Sequence, residues 1–207
     1  VASDVAGVGT GRSSLMACSY GNGLGLFCYG VGPVGMSNLI SYIGVVGADV
    51  AGVGTARQAG GACEYGGDKG ISAFGVISAK TNLSNLISNV GVISDDVAGV
   101  GTARDGIAAC TYGGDKGIFG YGYATPSNLS MTNLVSNAGV VSTDVSGVGS
   151  VRTFLGACEY GTDKAIFGFG DPGPTAITNL VSNVGVVSTD TSGIGTARSS
   201  ITACSYN

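Results

Sequence analysis

Arg12, Arg57, Arg104, Arg152 and Arg198 are the only arginines of the chain, and each closes the motif Gly-[Val/Ile]-Gly-x-x-Arg. Eight residues before each stands an aspartate: Asp4, Asp49, Asp96, Asp144 and Asp190. A guanidinium and a carboxylate repeated in this way suit two kinds of chemistry. They can form bidentate salt bridges that fasten a turn to the next element, or a ring of charge that holds a ligand. A pair written into every unit is expected to be scaffold, so we read these residues as repeated structural salt bridges.

Cysteines keep the same step. Cys18, Cys63, Cys110, Cys158 and Cys204 each follow an arginine by six residues, among small neighbours. A small buried apolar group on a crowded strand is the plain reading. A ring of metal ligands would need Cys-x-x-Cys spacing or histidine beside it, and neither is present. Cys28 is the sixth cysteine and falls outside the pattern. It stands where other units carry Ala73, Gly120 and Gly168, ten residues after Cys18. That spacing could place both across one hairpin. A Cys18–Cys28 disulfide would imply an oxidising compartment, and geometry decides it.

Other catalytic groups are missing from the sequence. There is no histidine, the commonest general base and metal ligand. No Gly-x-Ser-x-Gly or phosphate loop occurs, and the Gly-x-Gly of each unit is too short for a nucleotide fingerprint. We therefore expect no catalytic, cofactor-binding or metal-ligating residues and no enzymatic activity. The Asp-Lys steps at Asp68-Lys69, Asp115-Lys116 and Asp163-Lys164 read as solvated turns, since a calcium loop needs several carboxylates together. Tyr and Phe at 119–123 and 167–169 read first as core, with stacking on sugars as the second reading.

These residues are carried by a unit of about 46 residues: the arginines are 45, 47, 48 and 46 residues apart. Full units span about 11–55, 56–102, 103–150 and 151–196, with partial units at 1–10 and 197–207, all within a single repeat domain. Each unit runs from the arginine through a cysteine strand, a Gly-rich turn, a second apolar strand, a loop of changing length and the motif Asn-Leu-[Ile/Val]-Ser, beginning at Asn38, Asn85, Asn133 or Asn179. All four prolines, Pro33, Pro126, Pro172 and Pro174, fall in the variable loop, as exposed connections require. In the third unit we expect strands at 106–112, 117–123 and 133–142 and a short fourth around Val145–Ser150. Glycine is 39 of 207 residues and β-branched residues abound, so helix is disfavoured. Charged residues are 11% and apolar ones 44%, the reverse of a disordered chain. Net charge is −4 with no basic cluster, which argues against nucleic-acid binding. Apolar windows are broken by Gly, Ser and Asn, so no membrane span is expected.

The fold class expected is all-β. A period of 40–50 residues with four strands is the size of one propeller blade. Arg ahead of a small-residue strand, then a Gly-closed second strand, a third strand and a short fourth, resembles the kelch repeat over nearly the whole chain. Phe119-Gly120-Tyr121-Gly122 stands in place of that family's Gly-Gly doublet, and its Trp is absent. The resemblance implies a β-propeller of four-stranded blades, four full and one partial, the last built from both termini. The chain starts and stops inside a repeat, so a processed or truncated chain is expected. For function, low charge and repetition lead to a non-enzymatic structural or interaction module, extracellular or on a virion or cell surface, as a fibre, appendage or decoration component. Its partners would be copies of itself or surface glycans. The alternative is a lectin-like carbohydrate-binding propeller.

Overall fold

In the computed structural model, which describes residues 6–32 and 34–205, every full unit folds into one small antiparallel sheet. The first unit contributes β1 (Met16–Tyr20), β2 (Leu24–Cys28) and β3 (Ser37–Ile40). The second contributes β4 (Gly61–Tyr65), β5 (Lys69–Ala73) and β6 (Ser84–Ile87). The third contributes β7 (Ala108–Tyr112), β8 (Lys116–Gly120), a two-residue hairpin of β9 (Tyr123–Ala124) and β10 (Ser127–Asn128), and β11 (Thr132–Val135). The fourth contributes β12 (Gly156–Tyr160), β13 (Lys164–Gly168) and β14 (Thr178–Val181). The middle strand pairs on both sides, and no sheet closes on itself. The described residues contain no helix.

Local chemistry sets the strand ends. β7 and β8 are joined at Gly113 and Gly114, whose φ values of 62° and 75° let the hairpin turn tightly. β8 ends at Gly120, earlier than the expected 123, because Tyr121 takes φ 62° and Gly122 φ 103°. Tyr29, Phe74 and Phe169 hold the same left-handed conformation at the equivalent place. The expected strand 133–142 is two segments. β11 ends at Val135, Gly139 turns the chain at φ 78°, and the return meets β11 at the isolated bridges Val135↔Val141 and Thr132↔Val145, with Ser142 N donating to Leu134 O between them. The expected four-stranded sheet is thus three strands plus a fourth segment held by two isolated bridges. The same pair recurs in the other units, as in Ile40↔Val46 and Ser37↔Val50. The fourth segment fails to become a strand because it turns its aspartate into a polar lock described below.

The apolar cores lie between units, not inside them. One joins Leu26, Cys28 and Tyr29 to Ala62 and Ile87. The next joins Ile71, Ala73 and Phe74 to Ile107, Phe119 and Val135. The third joins Cys110, Ile118 and Tyr121 to Leu155, Phe167 and Val181. Each sheet therefore buries its faces against its neighbours, and stability is a sum of neighbouring interfaces. Backbone hydrogen bonds step across the same interfaces. Ala59 N donates to Ser14 O, Gly106 N to Ala59 O, Phe154 N to Gly106 O and Ser200 N to Phe154 O, at 2.8–2.9 Å.

Candidate functional site

The repeated charges form a lock with four members per unit. Arg104 is fully buried. Its Nε donates to Tyr121 O at 2.8 Å, Nη1 to Thr102 O at 3.0 Å and Nη2 to Asn133 Oδ1 at 2.6 Å. Its guanidinium lies 4.2 Å above the Phe74 ring of the preceding unit. Asp144 stands 3.8 Å from Nη1. It accepts from Asn133 Nδ2 at 2.9 Å and from Thr102 N and Oγ1 at 3.0 and 2.7 Å. In the second unit Arg57 lies over Tyr29 and 3.9 Å from Asp96, which accepts from Asn85 and Thr55, but its Nη2 donates to Ser72 O in place of the asparagine. In the first the four are Arg12, Asp49, Asn38 and Thr10. In the fourth, Arg152 reaches Asn179, which donates to Asp190, and Ser150 takes the threonine's place.

The aspartate that meets Arg12, Arg57 and Arg104 is therefore not the one eight residues before it. It comes from the fourth segment at the far end of the same unit, so the lock ties the two ends of a unit together. Threonine two residues before the arginine belongs to the preceding unit, and through it the lock also joins units. Arg198 is exposed and keeps only its stacking on Phe169, at 4.7 Å. Asp4 lies outside the described residues.

Electrostatics follow from this packing. Burial pulls the Arg104 guanidinium down to about 10, against the raising effect of Asp144. Burial by itself would raise the Asp144 carboxyl, but hydrogen bonds from Thr102 and Asn133, with Arg104 nearby, hold it below its ordinary value. Asp96 and Asp190 are lowered in the same way.

The five repeated cysteines come together in space. Cys18, Cys63, Cys110, Cys158 and Cys204 all line one cavity of about 330 Å³, with Glu64 and Glu159. A second cavity of about 420 Å³ is walled by the residues that precede these strands, Ser14, Ala59, Gly106, Phe154 and Ser200 among them. The thiols are packing groups. Cys18 Sγ lies where a Cβ on Gly70 would stand 2.8 Å away, and Cys63 Sγ where one on Gly117 would stand 2.5 Å away. Burial pushes Cys63 up to about 12 and holds Cys18 and Cys110 well above the usual thiol range. Such thiols stay protonated at neutral pH and make poor nucleophiles or ligands. Burial, with Glu64 and Asp163 nearby, also raises Glu159. Among the described residues, no three of His, Cys, Asp and Glu are grouped to hold a metal ion.

The disulfide expected between Cys18 and Cys28 is not formed, and both thiols are free. Register is the reason. Cys28 faces Met16 and Cys18 faces Leu26, so the two cysteines are diagonal neighbours. Diagonal Cβ atoms lie roughly 7–8 Å apart, beyond the ~3.5–4.5 Å of a bridge.

Of the aromatics considered for sugar stacking, Tyr123 and Phe169 are half-buried and the rest are interior. Phe119, Tyr121 and Phe167 are fully buried. The Asp-Lys turns are ion pairs of adjacent residues, at 2.6, 2.5 and 2.8 Å, on the surface. Sequence reasoning missed the roles of Asn38, Asn85, Asn133 and Asn179 and of Thr10, Thr55, Thr102 and Ser150. Their signal was present: each keeps a constant place in its motif, as an unsatisfied role in a repeated lock would demand. Compared with known proteins, the chain matches no protein-family model and no curated protein.

Proposed function

We propose that the chain is a non-enzymatic structural or interaction module, with its units arranged as blades of a kelch-like propeller. In this reading the first strand of each unit is innermost, and residues 197–205 and 6–10 supply parts of a fifth blade. Support comes from two cavities, each walled by equivalent residues of every full unit and of residues 200–205. The observation that carries the functional reading is the lock. The side chains that repeat with chemical potential, Arg, Asp, Asn and Thr, spend most of their polar groups on one another and on their own backbone, with Arg12 Nε and Nη1, Asn85 Oδ1 and Arg152 Nε left over. An extracellular, virion or cell-surface setting, as part of a fibre, appendage or decoration, suits such a scaffold.

Size-exclusion chromatography with light scattering, together with assays on ester, glycoside and phosphate substrates, tests the reading. A stable particle without turnover is the expected result. Sustained turnover on any of these substrates refutes it. The lectin-like alternative rests on exposed aromatics, above all Tyr42, which is 81% accessible at a turn tip. A glycan screen with Tyr42→Ala as control tests that alternative.

A further inference from the structure

One turn is built the same way in all four full units, where the third strand gives way to the fourth segment. In the second unit Ser88 N donates to Val92 O at 2.9 Å, Gly91 N to Ser88 O at 2.9 Å and Val92 N to Ser88 Oγ at 3.0 Å. Ser41 with Gly44 and Val45, Ser136 with Gly139 and Val140, and Ser182 with Gly185 and Val186 repeat these bonds. The turn is also held from outside. Gly91 lies so near the unit before that a Cβ there would come 2.7 Å from Tyr20 Oη, and Gly139 and Gly185 stand likewise on Tyr65 and Tyr112. Asn89, Asn137 and Asn183 donate to Asp68, Asp115 and Asp163 of their own hairpins at 3.0–3.2 Å.

What these fixed turns hold out is apolar. Ile43 and Val45, Val90 and Val92, Val140, and Val184 and Val186 are 59–69% exposed, and Tyr42 is 81% exposed. Single exposed apolar side chains need no explanation. These recur at the same two positions of every unit, with only Ala138 smaller. The second and third units have described neighbours on both sides, and their tips are as bare as those of the outer two, so packing between units does not cover them. The tips lie in one row. Gly21, Gly66 and Gly113 N donate to Asp68 O, Asp115 O and Asp163 O of the next hairpin at 2.7 Å, which sets the hairpins, and the tips bonded to them, side by side.

Charge and area say what fits this row. Its hairpins carry Asp68-Lys69, Asp115-Lys116 and Asp163-Lys164, each an ion pair in itself. Glu64 and Glu159 line the five-cysteine cavity instead. The row is thus neutral within a chain of net charge −4. Two copies can bring these ends together without like-charge repulsion, whereas an anionic lipid surface finds no surplus of cations there. At their exposures the tip residues present roughly 800–1,000 Å² per copy, close to the ~800 Å² that one partner brings to a standard interface.

We propose that this row of tips is a self-association surface whose occupant is the same row of a second copy. The contact is isologous, tips meeting tips about a two-fold axis. This deepens the interaction-module reading and rests on it.

Sedimentation equilibrium of the 207-residue chain over ~1–200 μM tests the proposal. The mass is expected to double as concentration rises. Val92→Asp combined with Val186→Asp should weaken association at least ~100-fold, about tenfold for each apolar side chain withdrawn, and hold the mass at half the parent's. The turn's hydrogen bonds use backbone and serine atoms, so this variant keeps its fold, which thermal melting by circular dichroism checks. Ile194→Asp, at a side chain 99% exposed but in the arginine motif, should associate as the parent does. Vesicles of phosphatidylcholine, with and without phosphatidylserine, should leave the chain in solution in a flotation assay. A mass of one chain over the whole range, a doubled mass that the tip substitutions leave intact, or flotation that those substitutions abolish overturns the proposal. Turnover assays decide the scaffold reading separately, so the failure of one is distinguishable from the failure of the other.

Discussion

Replacing Asp144 by alanine tests whether the lock holds the array together. The substitution strips three hydrogen bonds from one carboxylate, those from Asn133 Nδ2, Thr102 N and Thr102 Oγ1. It also leaves Arg104, fully buried, without its counter-ion at 3.8 Å. At an effective dielectric constant near 20, a pair at that separation is worth roughly 4 kcal/mol before solvent is counted. Asp144 is 28% exposed, so water recovers part of this. Removing one partner of a buried pair typically costs ~3–5 kcal/mol, and with solvent access the lower end applies, about 3 kcal/mol. For a chain of this length that is roughly 6–12 °C in Tm. Urea unfolding followed by far-ultraviolet circular dichroism gives the value directly. Asp144→Asn, which keeps an acceptor but no charge, should lose about half as much. Asp95→Ala, exposed and outside the lock, should stay within ~0.5 kcal/mol of the parent. If Asp144→Ala costs under ~1 kcal/mol, or no more than Asp95→Ala, the lock is decoration and the argument fails.

Phe74→Ala removes both the platform under Arg104 and the edge partner of Phe119, and should cost about 3–5 kcal/mol in the same urea assay. Gly52→Ala would place a Cβ 2.4–2.7 Å from the Gly35 backbone, which cannot rotate away. A loss of about 1–3 kcal/mol is expected, and an unchanged midpoint would mean the two segments separate freely. Acid should unfold the protein, because the lock carboxylates sit below their ordinary values when folded. Their contribution is complete above the unfolded value of ~3.9 and disappears as pH falls through the folded one, so Asp144→Asn should flatten that limb. Alkali should act in the opposite sense. Cys63 is raised when folded from 9.0 to about 12, so stability falls as pH climbs through that interval, and Cys63→Ala should shallow the slope. With a thiol reagent at neutral pH, Cys204 should label first, and Cys28, Cys63 and Cys110 only on unfolding.

Coupling between units explains why these perturbations should spread. Arg57, Arg104 and Arg152 each bond within their own unit and stack on the aromatic of the unit before, while Asp49, Asp96, Asp144 and Asp190 also hold the threonine or serine of the unit before. A unit cannot release its lock without loosening a neighbour's.

The sequence by itself determined what repeats and how. The 45–48-residue step of the arginines, the cysteine six residues on and the Gly-rich turns were enough for an all-β array with hairpins at Gly66-Gly67 and Gly113-Gly114. Strand boundaries were legible where glycine marks a turn. They were misread at 117–123, because an aromatic in the left-handed region, such as Tyr121, gives no compositional sign of itself. The stretch 133–142 was misread because an apolar run with a single internal glycine reads the same whether it continues or turns back. Tertiary structure alone decided the partners. Which aspartate meets Arg104 depends on the fourth segment folding back along β11, a relation between residues forty positions apart that spacing cannot rank. Whether Cys18 and Cys28 join depends on register, since a shift of two residues across a hairpin separates a bridge from a diagonal.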